Sequence, residues 1–475
     1  MKVLIINPPR YEGSSVTREG RCELVMDYRV DTPATLLIIA SILRNDNQSI
    51  KFFDANGLNL SYDDLLKLFN LMKFDCLIFT FNSQIIDHDL RICSIIKRIN
   101  PACITIGYSW YARKFGKEIL NEYNNLDILI VDDLFSIIEY LIKCLDNNND
   151  LSKVNGITYR NNKNEIILNE KVIFRKKLDE LPLPAYDLLR SFKQYYLYSP
   201  LLSPYALVYS GKGCPFGCIY CNVANTNYSG KSAEKVILEL KTLKKLGKVK
   251  YVWFFDEIFT LNRRRTIEIC KRIIKERLKI KWFCDSRVDL VDQELLKIMR
   301  KAGCIGISYG VESGSNKILN LMNKKITIEQ AKKALSWTRQ VNIPIQLNLL
   351  IGYIGETKTT LKETENFIRE TLPDFIQVSV MQALESTEFI KIALKNNWIS
   401  RDMDWKTKLI SPHKKLRNYK PYELNLWELR EIFPKMLFYN LKWWIYSIKT
   451  LMRNLCLIKP IFYTFLRKSQ TISLI

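Results

Sequence analysis

From Lys2 to Val380, short apolar runs alternate with amphipathic stretches of helical period, and no other feature constrains the fold as strongly. Short apolar runs separated by helices are the pattern of parallel strands buried on both faces. The first part reads as strands at Lys2–Asn7, Ile50–Asp54, Cys76–Phe81, Cys103–Gly107 and Ile128–Val131. Helical stretches fall at Thr35–Leu43, Asp87–Asn100, Phe115–Tyr123 and Leu134–Leu145. This predicts an α/β, doubly wound parallel sheet of about five strands over residues 1–147. After a break at Asn147–Asp150, residues 148–200 read as a hairpin (Gly156–Arg160 with Glu165–Leu168) and a proline-marked linker, Leu181–Asp187. Strand runs then recur at Ala206–Tyr209, Tyr251–Phe255, Ile280–Cys284, Ile305–Tyr309, Ile345–Ile351 and Phe375–Val380. Residues 201–400 are therefore expected to form a partial (β/α)6 barrel with its chemistry at the carboxyl ends of the strands. Residues 401–475 read as a basic, aromatic helical region.

Just after the first of these later strands stand Cys214, Cys218 and Cys221, spaced C-x3-C-x2-C. Three thiolates this close suit three corners of a [4Fe–4S] cube and leave one iron open. Gly213 and Gly217 let the backbone bend there, and Pro215 fixes part of the turn. Structural zinc ordinarily closes with a fourth Cys or His. The two histidines, His88 and His413, are remote in sequence. The remaining nine of the 12 cysteines, from Cys22 to Cys456, read as small buried apolar residues in a reducing compartment.

At this point the chain resembles the radical S-adenosylmethionine (SAM) superfamily, whose signature is C-x3-C-x-aromatic-C, with Tyr220 as the aromatic. The resemblance implies that SAM chelates the open iron and is cleaved reductively to methionine and a 5′-deoxyadenosyl radical. It further implies an external electron donor such as ferredoxin or flavodoxin. By position in the family's order, Asp256 or Glu257 would contact the SAM amino group. Taken alone, that pair is an ordinary helix cap. Arg287, in Arg287-Val288-Asp289, would hold the SAM carboxylate; a structural ion pair with Asp289 or Asp256 is the competing account. Glu312, in Gly310-Val311-Glu312-Ser313-Gly314, would bind ribose hydroxyls, and Gly352 would begin the adenine-contacting turn through Thr357.

A doubly wound domain ahead of such a barrel resembles the cobalamin-binding subclass, flavodoxin-like in fold. Asn7-Pro8-Pro9, the helix from Pro33, Asp54 and the entry Leu178–Asp187 carry that likeness. It implies a corrin at the carboxyl ends of the strands and its nucleotide tail in the sheet crevice. The chain departs from the pattern at two turns, which read Gly107-Tyr108-Ser109-Trp110 and Val131-Asp132-Asp133-Leu134, and it lacks a histidine to ligate cobalt. His88 reads as a surface or capping residue.

Hydrophobic residues make up 47% of the 475, enough for real cores, which excludes a disordered chain. Lys and Arg exceed Asp and Glu by 72 to 49, a net charge of +23. That excess suits an anionic membrane, nucleic acid or an acidic substrate, or a merely solvated basic surface. From Pro434 a tryptophan-rich stretch repeats lysine at Lys435, Lys442 and Lys449, the pattern of an interfacial helix or of a lid over a substrate. The start reads as a strand rather than a signal peptide, and no uncharged run is long enough to span a bilayer. The expectation is a cytoplasmic radical SAM enzyme, with peripheral membrane contact through this tail, methylating an unactivated carbon or phosphorus of a small or lipid-like substrate with cobalamin. The alternatives are a radical SAM cyclase or mutase without functional cobalamin, and a non-catalytic iron–sulfur protein that binds nucleic acid.

Overall fold

Val3, Leu4, Ile5 and Ile6 are all buried, as a strand covered on both faces requires, and they form an interior strand of the first sheet. The structure is a computed structural model that describes residues 1–20, 22–26, 29–172, 175–197, 202–381, 384, 387–398 and 404–406. These fall into two compact units. The first runs from Met1 to Leu197 and takes in residues 404–406, and the second holds residues 202–398.

In the first unit the strands are β1 (Lys2–Asn7), a hairpin of β2 (Ser15–Glu19) and β3 (Cys22–Met26), β4 (Ser49–Asp54), β5 (Cys76–Thr80), β6 (Ile104–Tyr108) and β7 (Ile128–Ile130). β8 (Ile157–Arg160) and β9 (Ile166–Leu168) complete the set. The main sheet has the order β4-β1-β5-β6-β7-β8-β9. Its first five strands are parallel, and the chain reverses direction across the sheet between β1 and β5, the switch point of a doubly wound fold. The hairpin after the break at residue 147, set apart from the sheet in the sequence expectation, pairs antiparallel to β7 and extends it to seven strands. Backbone pairing of β7 with β8 outweighs the polar Asn147–Asp150 break, which had marked the boundary. The β2–β3 hairpin was not foreseen, because Arg18, Glu19 and Glu23 read as surface charges yet are buried.

In the second unit β10 (Tyr205–Val208), β13 (Tyr251–Phe254), β14 (Lys281–Ser286), β15 (Cys304–Glu312), β16 (Ile345–Ile351) and β17 (Phe375–Val380) form a six-stranded parallel sheet in chain order. Between them come a two-residue ribbon, β11 (Gly211–Lys212) with β12 (Ser229–Gly230), and helices over Ala233–Gly247, Arg263–Lys275, Gln293–Lys301, Ile328–Gln340 and Lys358–Thr371. Consecutive helices of that set touch one another, so all lie on one face of the sheet, as right-handed crossovers between sequential strands require. That face is apolar: Phe254, Trp282, Tyr309, Leu347 and Leu349 are buried under the helices. Cys270, Cys284 and Cys304 sit in the same layer as buried thiols. Cys76, Cys93, Cys103 and Cys144 are likewise buried in the first unit. The tail from Pro434, with Lys435, Lys442 and Lys449, and Cys456 lie outside the described residues. Among the described residues no helix is long and apolar enough to cross a membrane.

Candidate active site

The loop that carries the three cysteines leaves the carboxyl end of β10 through Ser210 and the β11–β12 ribbon. Gly213 has a φ of +95°, and a Cβ there would fall 2.1 Å from the Asn227 carbonyl oxygen, so only glycine fits. Gly217 serves a different need: a Cβ would press within 3.2 Å of Asn225 and Asn323. The Cys214 N–H donates to Thr226 Oγ1 at 2.9 Å, and the Thr226 N–H returns a bond to the Cys214 carbonyl. These bonds close the loop on itself. Cys214 and Cys218 are buried, Cys221 is half-buried, and none is in a disulfide. Burial pushes the Cys214 thiol up, while the Arg287 cation acts in the opposite direction. Against the loop lies a cavity of about 590 Å³ bordered by Phe216, Cys218, Cys221, Asn225, Asn323 and Lys325 among others.

Asp256 and Glu257, at the end of β13, both turn to the loop's root. Asp256 is fully buried and accepts from the Ser210 N–H at 2.7 Å and from Ser210 Oγ at 2.6 Å. Burial raises its pKa to about 6, against the pull of Arg265. Each of its oxygens thus accepts one bond from the turn at Ser210. Glu257 accepts from the Gly213 N–H at 2.9 Å.

Arg287 is 4% exposed and bidentate to Asp289, at 2.9 and 3.0 Å. It also donates to the Lys324 carbonyl and lies over the Phe216 ring. Arg287 thus pairs with Asp289 and braces the cysteine loop.

Glu312 ends β15 with a φ of +77°, a left-handed conformation that is strained for a glutamate and sits where the register with β16 slips. Its carboxylate accepts from Lys324 Nζ at 3.0 Å, and the same ammonium reaches Tyr220 Oη at 3.1 Å. Burial, then the charge of Glu312, drives the Tyr220 phenol well above its usual pKa. Gly310 permits this approach, since a Cβ there would lie 2.6 Å from Glu312 Oε1. Gly352 has a φ of +76°, and its N–H donates to buried Glu356 in a turn that leads into the helix capped by Thr357.

The structure therefore brings Tyr220 and Glu312 together on one ammonium. Asp256, Glu257 and Arg287 are gathered behind the loop, and Gly352 stands in its own turn. Sequence reasoning missed Lys324, which is 6% exposed, and its neighbours. The Met322 carbonyl accepts from the Ile219 N–H, and Asn323 Nδ2 donates to the Gly217 carbonyl at 2.7 Å. The segment looks like any polar helix end, and only its position against the loop reveals it. His88 is half-buried between the rings of Tyr11 and Tyr62 in the first unit.

Comparison with known proteins agrees with this arrangement. An uncharacterized methyltransferase of Pyrococcus horikoshii is 26% identical over 424 residues, covering 88% of this chain and 89% of the relative. The anaerobic magnesium-protoporphyrin IX monomethyl ester cyclase of Rubrivivax gelatinosus is 28% identical over 382 residues, 79% of this chain and 66% of the cyclase. Among solved structures, the radical SAM methyltransferase TsrM of Kitasatospora setae, with cobalamin and a [4Fe–4S] cluster bound, superposes with a TM-score of 0.68 at 13% identity, covering 84% of this chain and 76% of TsrM. The cobalamin-dependent radical enzyme OxsB gives 0.65 at 20% identity over 83% of this chain, which spans 55% of OxsB. These likenesses establish an α/β fold of that kind. Residues 208–368 match the model of the Radical SAM superfamily.

Proposed function

We propose that the protein is a cobalamin-dependent radical SAM methyltransferase acting on an unactivated carbon or phosphorus. The observation that carries this reading is a loop with three non-disulfide cysteines rooted at the first strand of a sequential parallel sheet, beside the buried Lys324 that pairs with Glu312 at the end of the fourth. Cys214, Cys218 and Cys221 fit a cube, which takes one thiolate per iron. When bound, the cluster supplies the electron that cleaves SAM.

In this reading Asp256, Glu257, Arg287 and Asn323 hold the loop in shape. Lys324 offers a buried cation to a carboxylate, and Glu312 offers acceptors to hydroxyls. The glycine turn at Gly352 allows close approach of a flat ring. We read the second unit as a partial (β/α)6 barrel, because helices confined to one face leave the other free to curve inward. The first unit is read as the cobalamin domain. At its switch point Thr80 Oγ1 and Asn82 Nδ2 are buried without a hydrogen-bond partner among the described residues, which suits a ligand rich in amide acceptors. Such a ligand supplies the methyl group.

The test is anaerobic reconstitution with iron, sulfide and hydroxocobalamin, followed by SAM and dithionite. Formation of 5′-deoxyadenosine, retention of corrin and loss of cleavage in Cys214→Ala are expected. A Cys214→Ala protein that still cleaves SAM overturns the assignment.

A further inference from the structure

The face of the second sheet opposite the helices carries a distinctive set of side chains. Alternation along the strands puts Trp253, Phe283, Asp285, Gly306, Ser308, Gly310, Gln346, Asn348 and Gln377 on it. A packed barrel interior is ordinarily filled with branched apolar residues. Here the β15–β17 part of that face carries Ser308, Gln346, Asn348 and Gln377 beside the single ring of Phe375.

Four of these residues form one network. Gln346 Nε2 donates to Asn348 Oδ1 and Gln377 Oε1, both at 3.0 Å, and Asn348 Nδ2 donates to Ser308 Oγ at 2.9 Å. Bonding among themselves fixes how each amide points and leaves capacity over: the Gln377 amide nitrogen donates to nothing among the described residues. The network stands in register with the candidate cofactor contacts. Asn348 is the pairing partner of Gly310, the residue over which the Glu312 carboxylate and Lys324 ammonium lie. On the other side of the face, Trp253 and Phe255 meet edge to face with centroids 5.7 Å apart, Phe255 meets Tyr209 at 5.8 Å, and the Trp253 indole donates to Asp285.

A hydrocarbon against the amide network would strip water from its donors and acceptors without replacing the bonds. A phosphate or carboxylate would meet beside this part of the face only Lys324, whose ammonium is already paired with Glu312, where anion sites rely on uncommitted Arg or Lys. A flat group with both donor and acceptor edges satisfies the amides and can stack or edge-pack on the aromatic wall.

We propose that Ser308, Gln346, Asn348 and Gln377 read the substrate, and that its reacting portion is a planar, uncharged group that both donates and accepts hydrogen bonds, an amide or an N-heteroaromatic ring. The inference rests on the radical SAM reading of the same unit, and its test separates the two.

The full chain, reconstituted with cluster and SAM, is titrated by ligand-observed NMR with three probes of similar size: benzamide, benzoate and toluene. Benzamide is expected to bind at least about fivefold more tightly than the other two. Asn348→Leu is expected to abolish that preference. Asn348→Asp, which keeps the shape but adds a charge, should weaken benzamide by a similar factor and guards against misfolding of the leucine variant. Equal or tighter binding of toluene or benzoate, no binding of benzamide, or a preference unmoved by both variants overturns the proposal. The same preparation is assayed for 5′-deoxyadenosine. Cleavage without the benzamide preference refutes only the substrate assignment, and the preference without cleavage refutes only the enzymatic reading.

Discussion

The guanidinium of Arg287 lies 3.8 Å over the ring of Phe216, the residue midway between Cys214 and Cys218. With two bonds to Asp289 and one to the Lys324 carbonyl, this arginine ties the ends of two strands to the cysteine loop. A stacked guanidinium contributes roughly 0.5–2 kcal/mol, and lysine cannot reproduce either the stack or the fork. Arg287→Lys is therefore expected to lower reconstituted iron per chain and broaden the EPR signal of the reduced protein, with SAM cleavage down about tenfold. Had Arg287 held the SAM carboxylate directly, the variant would weaken SAM binding and leave iron content and EPR untouched. Iron analysis and EPR beside SAM titration separate these outcomes.

Lys324 and Glu312 form a buried pair whose side chains are 7% and 14% exposed. Removing one member of such a pair strands the other charge, at a cost of about 3–5 kcal/mol. Lys324→Met is expected to lower the urea midpoint and to weaken SAM binding more than tenfold in the reconstituted protein. The double variant Lys324→Met with Glu312→Gln should recover most of the stability and none of the SAM affinity. Equilibrium dialysis with labelled SAM reads the second effect independently of the first. Unchanged affinity in the double variant removes Lys324 from the cofactor site.

The strands of both sheets were legible because each keeps an apolar face of period two between helical stretches: Ile345–Ile351 and Phe375–Val380 coincide with the structure residue for residue. The cysteine loop was legible from spacing alone. What escaped were features made by long-range polar contacts, which leave no local period. Asp256 carries the family's position, and its bonds to Ser210 reach 46 residues back along the chain. Arg18 looks like a surface residue of a turn, yet it forms a buried pair with Asp89 and donates to the carbonyls of Pro8 and Pro9. Partners 71 residues apart cannot be matched by pattern when each charge on its own reads as solvated.

Glu356 is buried in the turn after β16, and burial raises its pKa from 4.5 to about 7 even though the N–H groups of Gly352 and Tyr353 favour the anion. The folded chain thus holds this proton more tightly than the unfolded chain does. The resulting stabilisation is complete below about pH 4.5 and is lost as pH rises through about 7. At about 1.4 kcal/mol for each tenfold change in proton affinity, the difference is on the order of 3 kcal/mol. Glu356→Gln, which cannot ionise, should show a flatter dependence of the urea midpoint on pH across this window. A wild-type midpoint that rises between about pH 5 and pH 8, with the rise abolished by Glu356→Gln, would contradict the direction.

Thr80 closes β5 at the switch point of the first sheet, and its hydroxyl is buried with no partner. Nearby, the Glu23 carboxylate from the β2–β3 hairpin accepts from the Ser83 N–H and Ser109 Oγ, both at 2.7 Å, while Asn82 Nδ2 shares with Thr80 the lack of a partner among the described residues. The orphaned hydroxyl is therefore a specific handle on whether a ligand completes this crevice. Thr80→Val keeps the shape and deletes the hydroxyl. In the cofactor-free protein, removing a buried unsatisfied group should raise stability by about 1 kcal/mol or leave it unchanged. If corrin amides bond to Thr80, the same variant should retain several-fold less hydroxocobalamin after gel filtration, with iron content unaltered. Opposite signs for the two measurements support a cobalamin site at the β1–β5 crevice. Equal corrin retention by wild type and Thr80→Val removes this hydroxyl from the site and returns the crevice to a packing role.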